Sequence, residues 1–340
     1  MLLNVILIIV GIALVLWGAD RLTDGASALA RRMSVPEMVI GLTIVAAGTS
    51  APELFVSLVS ALKGTPDLAV GNVVGSNIMN TLVIVGVTAM VTPIAIARQT
   101  VAKDMPFTVL ASVLLAVLVM DDFHSLSLWG NTLGRFDGVV LLIGFAAFMY
   151  YTFSVARQGA VAAAEPVDAA VSAESVEAAV GDATAASAVR QQSVWVSLAY
   201  VVLGLACLIA GSNLFVDSAS AVAASLGVSE SVIGLTIVAG GTSLPELATS
   251  VVAARKGQSA MAIGNVIGSN VFNILMILGL TAAVCPMQIG GITLVDLSMM
   301  VVSMLLLWLF SFTKLTVARW EGAVLTALYL AYLGWLLWNV

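Results

Sequence analysis

Gly48-Thr49-Ser50-Ala51-Pro52-Glu53 recurs as Gly241-Thr242-Ser243-Leu244-Pro245-Glu246, so a polar, helix-breaking, carboxylate-bearing segment stands twice inside long apolar stretches. A constant offset of 193 residues also relates Gly71-Asn72 to Gly264-Asn265, Gly75-Ser76-Asn77 to Gly268-Ser269-Asn270, and Asn80 to Asn273. About 25 of the 40 positions in 41–80 are identical in 234–273, with no gap. This is an internal duplication. A carboxylate in hydrocarbon costs about 2.5–3.5 kcal/mol on insertion scales, so two at equivalent places suggest an ion or proton pathway before they suggest structure.

With 61% hydrophobic and 9% charged residues, the chain has far more apolar side chain than a soluble core of 340 residues could hide. The expected fold class is an all-α membrane protein. Apolar runs of membrane length give ten spans, near 2–19, 36–62, 67–91, 105–120, 136–154, 194–224, 231–254, 259–284, 292–311 and 318–338. Met1 to Trp17 lacks a basic leader and a small-residue cleavage site, so it reads as the first helix rather than a signal peptide. Cys207 and Cys285 fall in spans without metal-type spacing, and His124 is a lone loop histidine. The net charge of −6 comes without any basic patch suited to nucleic acid.

Ten spans put Arg21, Arg31, Arg32, Arg98, Lys103, Arg157, Arg190, Arg255, Lys256, Lys314 and Arg319 on one side and Lys63 and Arg135 on the other. By the positive-inside rule the first side is cytoplasmic, both termini face out and the linker faces in. The match extends to Asp24 and Asp217, Asp104 and Asp296, and Arg135-Phe136-Asp137-Gly138 and Arg319-Trp320-Glu321-Gly322. Five spans per copy is an odd number, so the second copy enters with opposite topology. The expectation is two inverted five-helix repeats, 1–154 and 194–340, an arrangement used by secondary transporters. The acidic, Ala-rich segment 155–193 between them reads as a disordered linker.

On the second span Ala46, Thr49, Ser50 and Glu53 share one helical face. Pro52 lacks an N–H, which frees the carbonyl of Gly48 and loosens the preceding turn; Pro245 does the same in the second copy. Freed carbonyls, hydroxyls and carboxylates are hard oxygen donors of the type calcium requires. Asn72, Ser76 and Asn80 follow at i, i+4, i+8 beside a Gly71-x-x-x-Gly75 stripe suited to close helix approach, and Asn265, Ser269 and Asn273 repeat them. Four helices should therefore converge on one polar cluster at mid-membrane. No basic residue lies in these spans to make the glutamates a structural ion pair.

At these residues the chain resembles the sodium/calcium exchanger family of the calcium/cation antiporter superfamily, whose two alpha repeats carry Gly-Thr-Ser-x-Pro-Glu followed by Gly-Asn-x-x-Gly-Ser. The resemblance covers both halves, with the alpha motifs at 41–80 and 234–273. It implies ten helices, a central ion site, and alternating access in which the first and sixth helices slide against the rest. It also implies Glu53 and Glu246 as principal acidic ligands, Thr49, Ser50, Thr242 and Ser243 as hydroxyl and carbonyl ligands, and Ala46 and Ala239 as backbone-carbonyl ligands. Ser76 and Ser269 would be flanking sodium ligands, with Asn80 and Asn273 central polar residues. Some relatives, including potassium-dependent exchangers, carry an acid where Asn273 stands, and the linker is too short for the calcium-sensing domains of animal members.

The expected activity is thus sodium/calcium antiport, not enzymatic catalysis, with calcium and sodium as transported ions, no cofactor, and the bilayer as the other partner. The short linker looks prokaryotic, which implies the cytoplasmic (inner) membrane. A proton/calcium antiporter of the same fold is the alternative. An intramembrane hydrolase would need an activated nucleophile that the sequence lacks, and a channel would more naturally repeat identical subunits around a pore. The sequence leaves the oligomeric state open, with a single copy the simplest case.

Overall fold

A computed structural model describes residues 1–120, 132–164, 193–227 and 239–339. In chain order the helices are α1 (Leu2–Arg32), α2 (Glu37–Thr49), α3 (Ala51–Leu62), α4 (Pro66–Val91), α5 (Thr100–Met120), α6 (Arg135–Ala164), α7 (Val194–Ser225), α8 (Ala239–Thr242), α9 (Leu244–Arg255), α10 (Ser259–Val284), α11 (Leu294–Ser311) and α12 (Arg319–Asn339). Among the described residues, eight of these are long and apolar enough to cross a membrane, and α2 with α3 makes a ninth span bent by 46°. The expected span 231–254 lies partly outside the described residues, its described part being α8 and α9. Most of the expected linker, 165–192, also lies outside them, and its first ten residues instead continue α6 to Ala164.

The first span does not end at residue 19. α1 carries on through Asp20, Arg21 and Asp24 to Arg32, because these charges are partnered where they stand. Lys256 Nζ lies 2.6 Å from Asp20 Oδ1 and 2.7 Å from Asp24 Oδ1, and the Arg21 guanidinium sits over the rings of Trp17 and Tyr200. At about 1.5 Å per residue its 31 residues reach through the headgroup layers as well as the hydrocarbon.

α1 also has a partner of equal length. It runs antiparallel to α7, with Gly11 against Gly211, Gly18 against Gly204 and Gly25 against Ser197, small residues recurring every seventh position along both helices. Backbones meet here: a Cβ on Gly204 would lie 2.6 Å from Leu22 N and 2.8 Å from Gly18 O. Gly204→Val is expected to destabilise the protein by about 1–3 kcal/mol through overpacking, read as a lower thermal midpoint in detergent. Gly334→Val, where nothing among the described residues lies within 4 Å, should leave the midpoint unchanged, and equal effects would refute the seam.

Two short antiparallel ladders join the two copies of the duplication. β1 (Ile94–Ala95) pairs with β4 (Thr316–Val317), and β2 (Thr132–Leu133) pairs with β3 (Met287–Gln288). Ile94 and Met287 stand at the 193-residue offset, so each ladder takes one strand from each copy and the pair of ladders repeats the duplication.

The expected close approach at the glycine stripes is made by α10. A Cβ on Gly264 would lie 2.8 Å from Met38 O, and one on Gly268 would lie 2.8 Å from Leu42 O, so α2 packs directly on it. The stripe in α4 differs: Gly71 meets the Ile292 side chain at 3.4 Å, and nothing among the described residues lies within 4 Å of Gly75. Residues 231–238, which the duplication aligns with the part of α2 that covers α10, lie outside the described residues.

Candidate ion site

Ser50 and Ser243 interrupt their spans in the same way, with ψ of 6° and 7°, and the new helices α3 and α9 begin one residue later with Pro52 and Pro245 in the first turn. This puts Glu53 and Glu246 in the first turns of α3 and α9, at the N-terminal end of each helix. Each is 1% exposed.

The backbone behind each glutamate is held by an asparagine from the next helix. Asn72 Nδ2 donates to Glu53 O (3.2 Å) and Ser57 Oγ (3.0 Å), and Asn265 Nδ2 donates to Glu246 O (3.3 Å) and Ser250 Oγ (3.0 Å). The brace is thus built twice, from residues at the same offset.

Other bonds cross between the copies. Thr49 Oγ1 donates to Asn265 Oδ1 (3.2 Å), Ser50 Oγ to Glu246 Oε1 (3.2 Å), and Ser243 Oγ to Ser76 Oγ (3.5 Å). The Thr242 and Ser243 hydroxyls lie beside Glu53, and those of Thr49, Ser50 and Ser269 beside Glu246, while the two carboxylates are near enough to repel each other. Asn80 Nδ2 donates to Asn270 Oδ1 (3.1 Å), and Asn273 Nδ2 donates to Asn77 Oδ1 (3.2 Å). With both amide nitrogens engaged, Asn80 Oδ1 and Asn273 Oδ1 are left buried without a partner. Glu53 Oε1 and Oε2, Glu246 Oε2 and Ser269 Oγ are likewise buried without a hydrogen bond of good geometry.

A cluster of buried, unsatisfied oxygens is costly by itself, and a bound hard cation would relieve the cost. Among the described residues the ion pairs involve Asp20, Arg21, Asp24 and Lys256, so neither glutamate has a basic partner. No group of three or more His, Cys, Asp or Glu occurs there either, which leaves two carboxylates supplemented by neutral hydroxyl and amide oxygens.

The expected site residues fall into three groups. Glu53, Glu246, Thr49, Ser50, Ser243, Ser76, Ser269, Asn80 and Asn273 are buried and converge, with Thr242 at their edge. Ala46 is buried, and its carbonyl already accepts the Ser50 N–H (2.9 Å) and the Thr49 hydroxyl (3.3 Å). Ala239 is the first residue of α8. Two other acids are singled out by the duplication, of which Asp296 lines a cavity together with Asn72 and Ser76. Asp217 is exposed on α7, and Asp296 caps α11 through Thr293 while accepting the Tyr332 hydroxyl at 2.6 Å.

Helical spacing missed Asn77 and Asn270, because i, i+4, i+8 counting from Asn72 leaves them on another face. Their identity at the 193-residue offset was the available signal. They lie just before the π-turns of α4 and α10 at Asn80–Ile84 and Phe272–Leu278, a local geometry often found at functional sites.

An oxygen-lined centre with two buried carboxylates, set within a bundle of membrane-length helices, has the make-up of a membrane transporter's ion site. The chain belongs to the sodium/calcium exchanger protein family, whose family model matches residues 3–154 and 196–338. It is 34% identical over 343 residues to inner membrane protein YrbG of Escherichia coli K12, covering 99% of this chain and 98% of that protein. To the sodium/calcium exchanger MaX1 of Methanosarcina acetivorans it is 31% identical over 345 residues, covering 97% of each. A solved structure of the sodium-calcium exchanger NCX_Mj superposes with a TM-score of 0.79 at 30% identity, covering 98% of this chain and 99% of that one.

Proposed function

We propose that this protein exchanges sodium for calcium across the membrane, binding both at one central site that opens alternately to either side. The observation that carries the reading is the pair of fully buried, neighbouring carboxylates, Glu53 and Glu246, with unpartnered oxygens and no basic partner among the described residues. Ten spans in two inverted halves, 1–154 and 194–340, supply them. The twofold repetition of the asparagine brace and of the ladders supports this arrangement. The excess of Lys and Arg on one side makes that side cytoplasmic, with both termini outside and the linker inside.

Glu53 and Glu246 together carry a charge of −2 when ionised, which one calcium or two sodium ions neutralise. Competition for the same oxygens is then sufficient to couple the fluxes. Ser50, Thr49, Thr242, Ser243 and the carbonyls of Ala46 and Ala239 complete the shell around the glutamates. Ser76 and Ser269 flank it as sodium ligands, and Asn80 and Asn273 offer amide oxygens. A third sodium at the flanking hydroxyls would make the loaded site net positive and the exchange electrogenic.

Calcium uptake into proteoliposomes should follow an imposed sodium gradient and be indifferent to replacement of potassium by choline, since both central amides are neutral and provide no charge to balance a third cation type. Uptake that survives in sodium-free medium and collapses with the pH gradient would establish the proton-coupled alternative instead.

A further inference from the structure

α3 and α9, the helices that carry the two glutamates, end identically. Lys63-Gly64 closes one and Lys256-Gly257 the other, at the 193-residue offset, with the glycines at φ of 77° and 78°. This left-handed turn fixes where each lysine leaves its own helix. Their surroundings nevertheless differ. Lys256 Nζ is inserted between Asp20 (2.6 Å) and Asp24 (2.7 Å) of α1 and also donates to Asp20 O (3.1 Å). Lys63 is exposed and has no ion pair among the described residues, and the same holds for Asp217 on α7, the counterpart of Asp24.

The packing shows the same asymmetry. α1 lies along α9, whereas α7 contacts α2, α8 and α9 rather than lying along α3. In a carrier built from inverted halves, the opposite-facing state is reached by exchanging the conformations of the two copies. Every contact made by one copy alone then maps onto its counterpart.

We propose that Lys256 with Asp20 and Asp24, and Lys63 with Asp217, are alternating ionic latches, the first closed in the state described here and the second closed in the opposite-facing state. Asn213 replaces Asp20 in the second latch, so one carboxylate holds Lys63 where two hold Lys256. The charge count thus biases the resting protein toward the present state. The proposal rests on the inverted-repeat transporter reading above.

The test uses the full chain with Cys207 and Cys285 replaced by Ala, carrying Asp24→Cys/Lys256→Cys in one variant and Lys63→Cys/Asp217→Cys in another. A short bis-thiosulfonate reagent bridges the pairs, because a Lys–Asp contact leaves the backbones too far apart for a direct disulfide. Both pairs are expected to cross-link, and either bridge should stop exchange until it is reduced. Adding Lys256→Gln should raise the 63/217 yield about two- to thirtyfold, the population shift that loss of two partly exposed ion pairs supports. Absence of the 63/217 product under every sodium and calcium gradient, with 24/256 bridging normal, would overturn the proposal, as would a 63/217 yield indifferent to Lys256→Gln. If the unbridged protein exchanges no sodium for calcium, the proposed transport function fails separately, and the two yields still decide the latch.

Discussion

Glu53→Gln and Glu246→Gln should each abolish calcium transport while leaving the folded protein intact. Gln keeps the volume of the side chain but lowers the site's charge from −2 to −1, so bound calcium would carry an uncompensated positive charge in a buried centre. Removing one partner of a buried, desolvated charge pair costs about 2–5 kcal/mol, a loss of affinity of about 30- to 5,000-fold. The same substitution relieves the burial of an unpaired carboxylate, so the thermal midpoint in ion-free buffer should hold or rise. Radiolabelled calcium uptake together with that midpoint checks both halves of the expectation. Near-normal uptake in both variants would remove the glutamates from the site.

Asn265→Leu should be more damaging than Asn72→Leu, although the two residues are counterparts. Asn265 is fully buried and makes three bonds, to Glu246 O, Ser250 Oγ and Thr49 Oγ1, the last from the other copy. Asn72 is half-buried and makes two bonds, both within its own copy. Side-chain hydrogen bonds within membranes average about 0.6 kcal/mol, so Asn265→Leu loses about 2 kcal/mol of stability and releases the backbone that aims Glu246. A thermal midpoint and a calcium concentration series on both variants would test this, with a lower midpoint and weaker calcium dependence expected for Asn265→Leu. Equal effects would mean that the cross-copy bond to Thr49 does not matter.

Much of this was legible from the chain. The duplicated Gly-Thr-Ser-x-Pro-Glu segment identified both the breaks at Ser50 and Ser243 and the acids that follow, because proline dictates the break and the offset dictates the pairing. α1 runs past the expected end at residue 19 because Asp20, Arg21 and Asp24, where the apolar run stops, find partners in place. Their partners, Lys256, Trp17 and Tyr200, are mostly distant in sequence. Yet the expected span 194–224, shifted back by 193 residues, is 1–31, so the duplication contained the answer. The π-turns just after Asn77 and Asn270 were hidden for another reason. A π-turn leaves no mark in residue spacing, since the extra residue per turn is a response to tertiary packing.

The two ladders bear on how such a protein can be encoded. Each draws one strand from either copy, and the asparagine pairs 80/270 and 77/273 cross between the same copies in the buried centre. Register between the halves is therefore maintained by contacts at two separate loop clusters and at the core. None of these contacts involves residues 165–192. Two half-length polypeptides, one ending after α6 and the other starting at α7, carry all of those contacts between them. A pair of separate genes would thus encode the same set of contacts between the halves as the fused one.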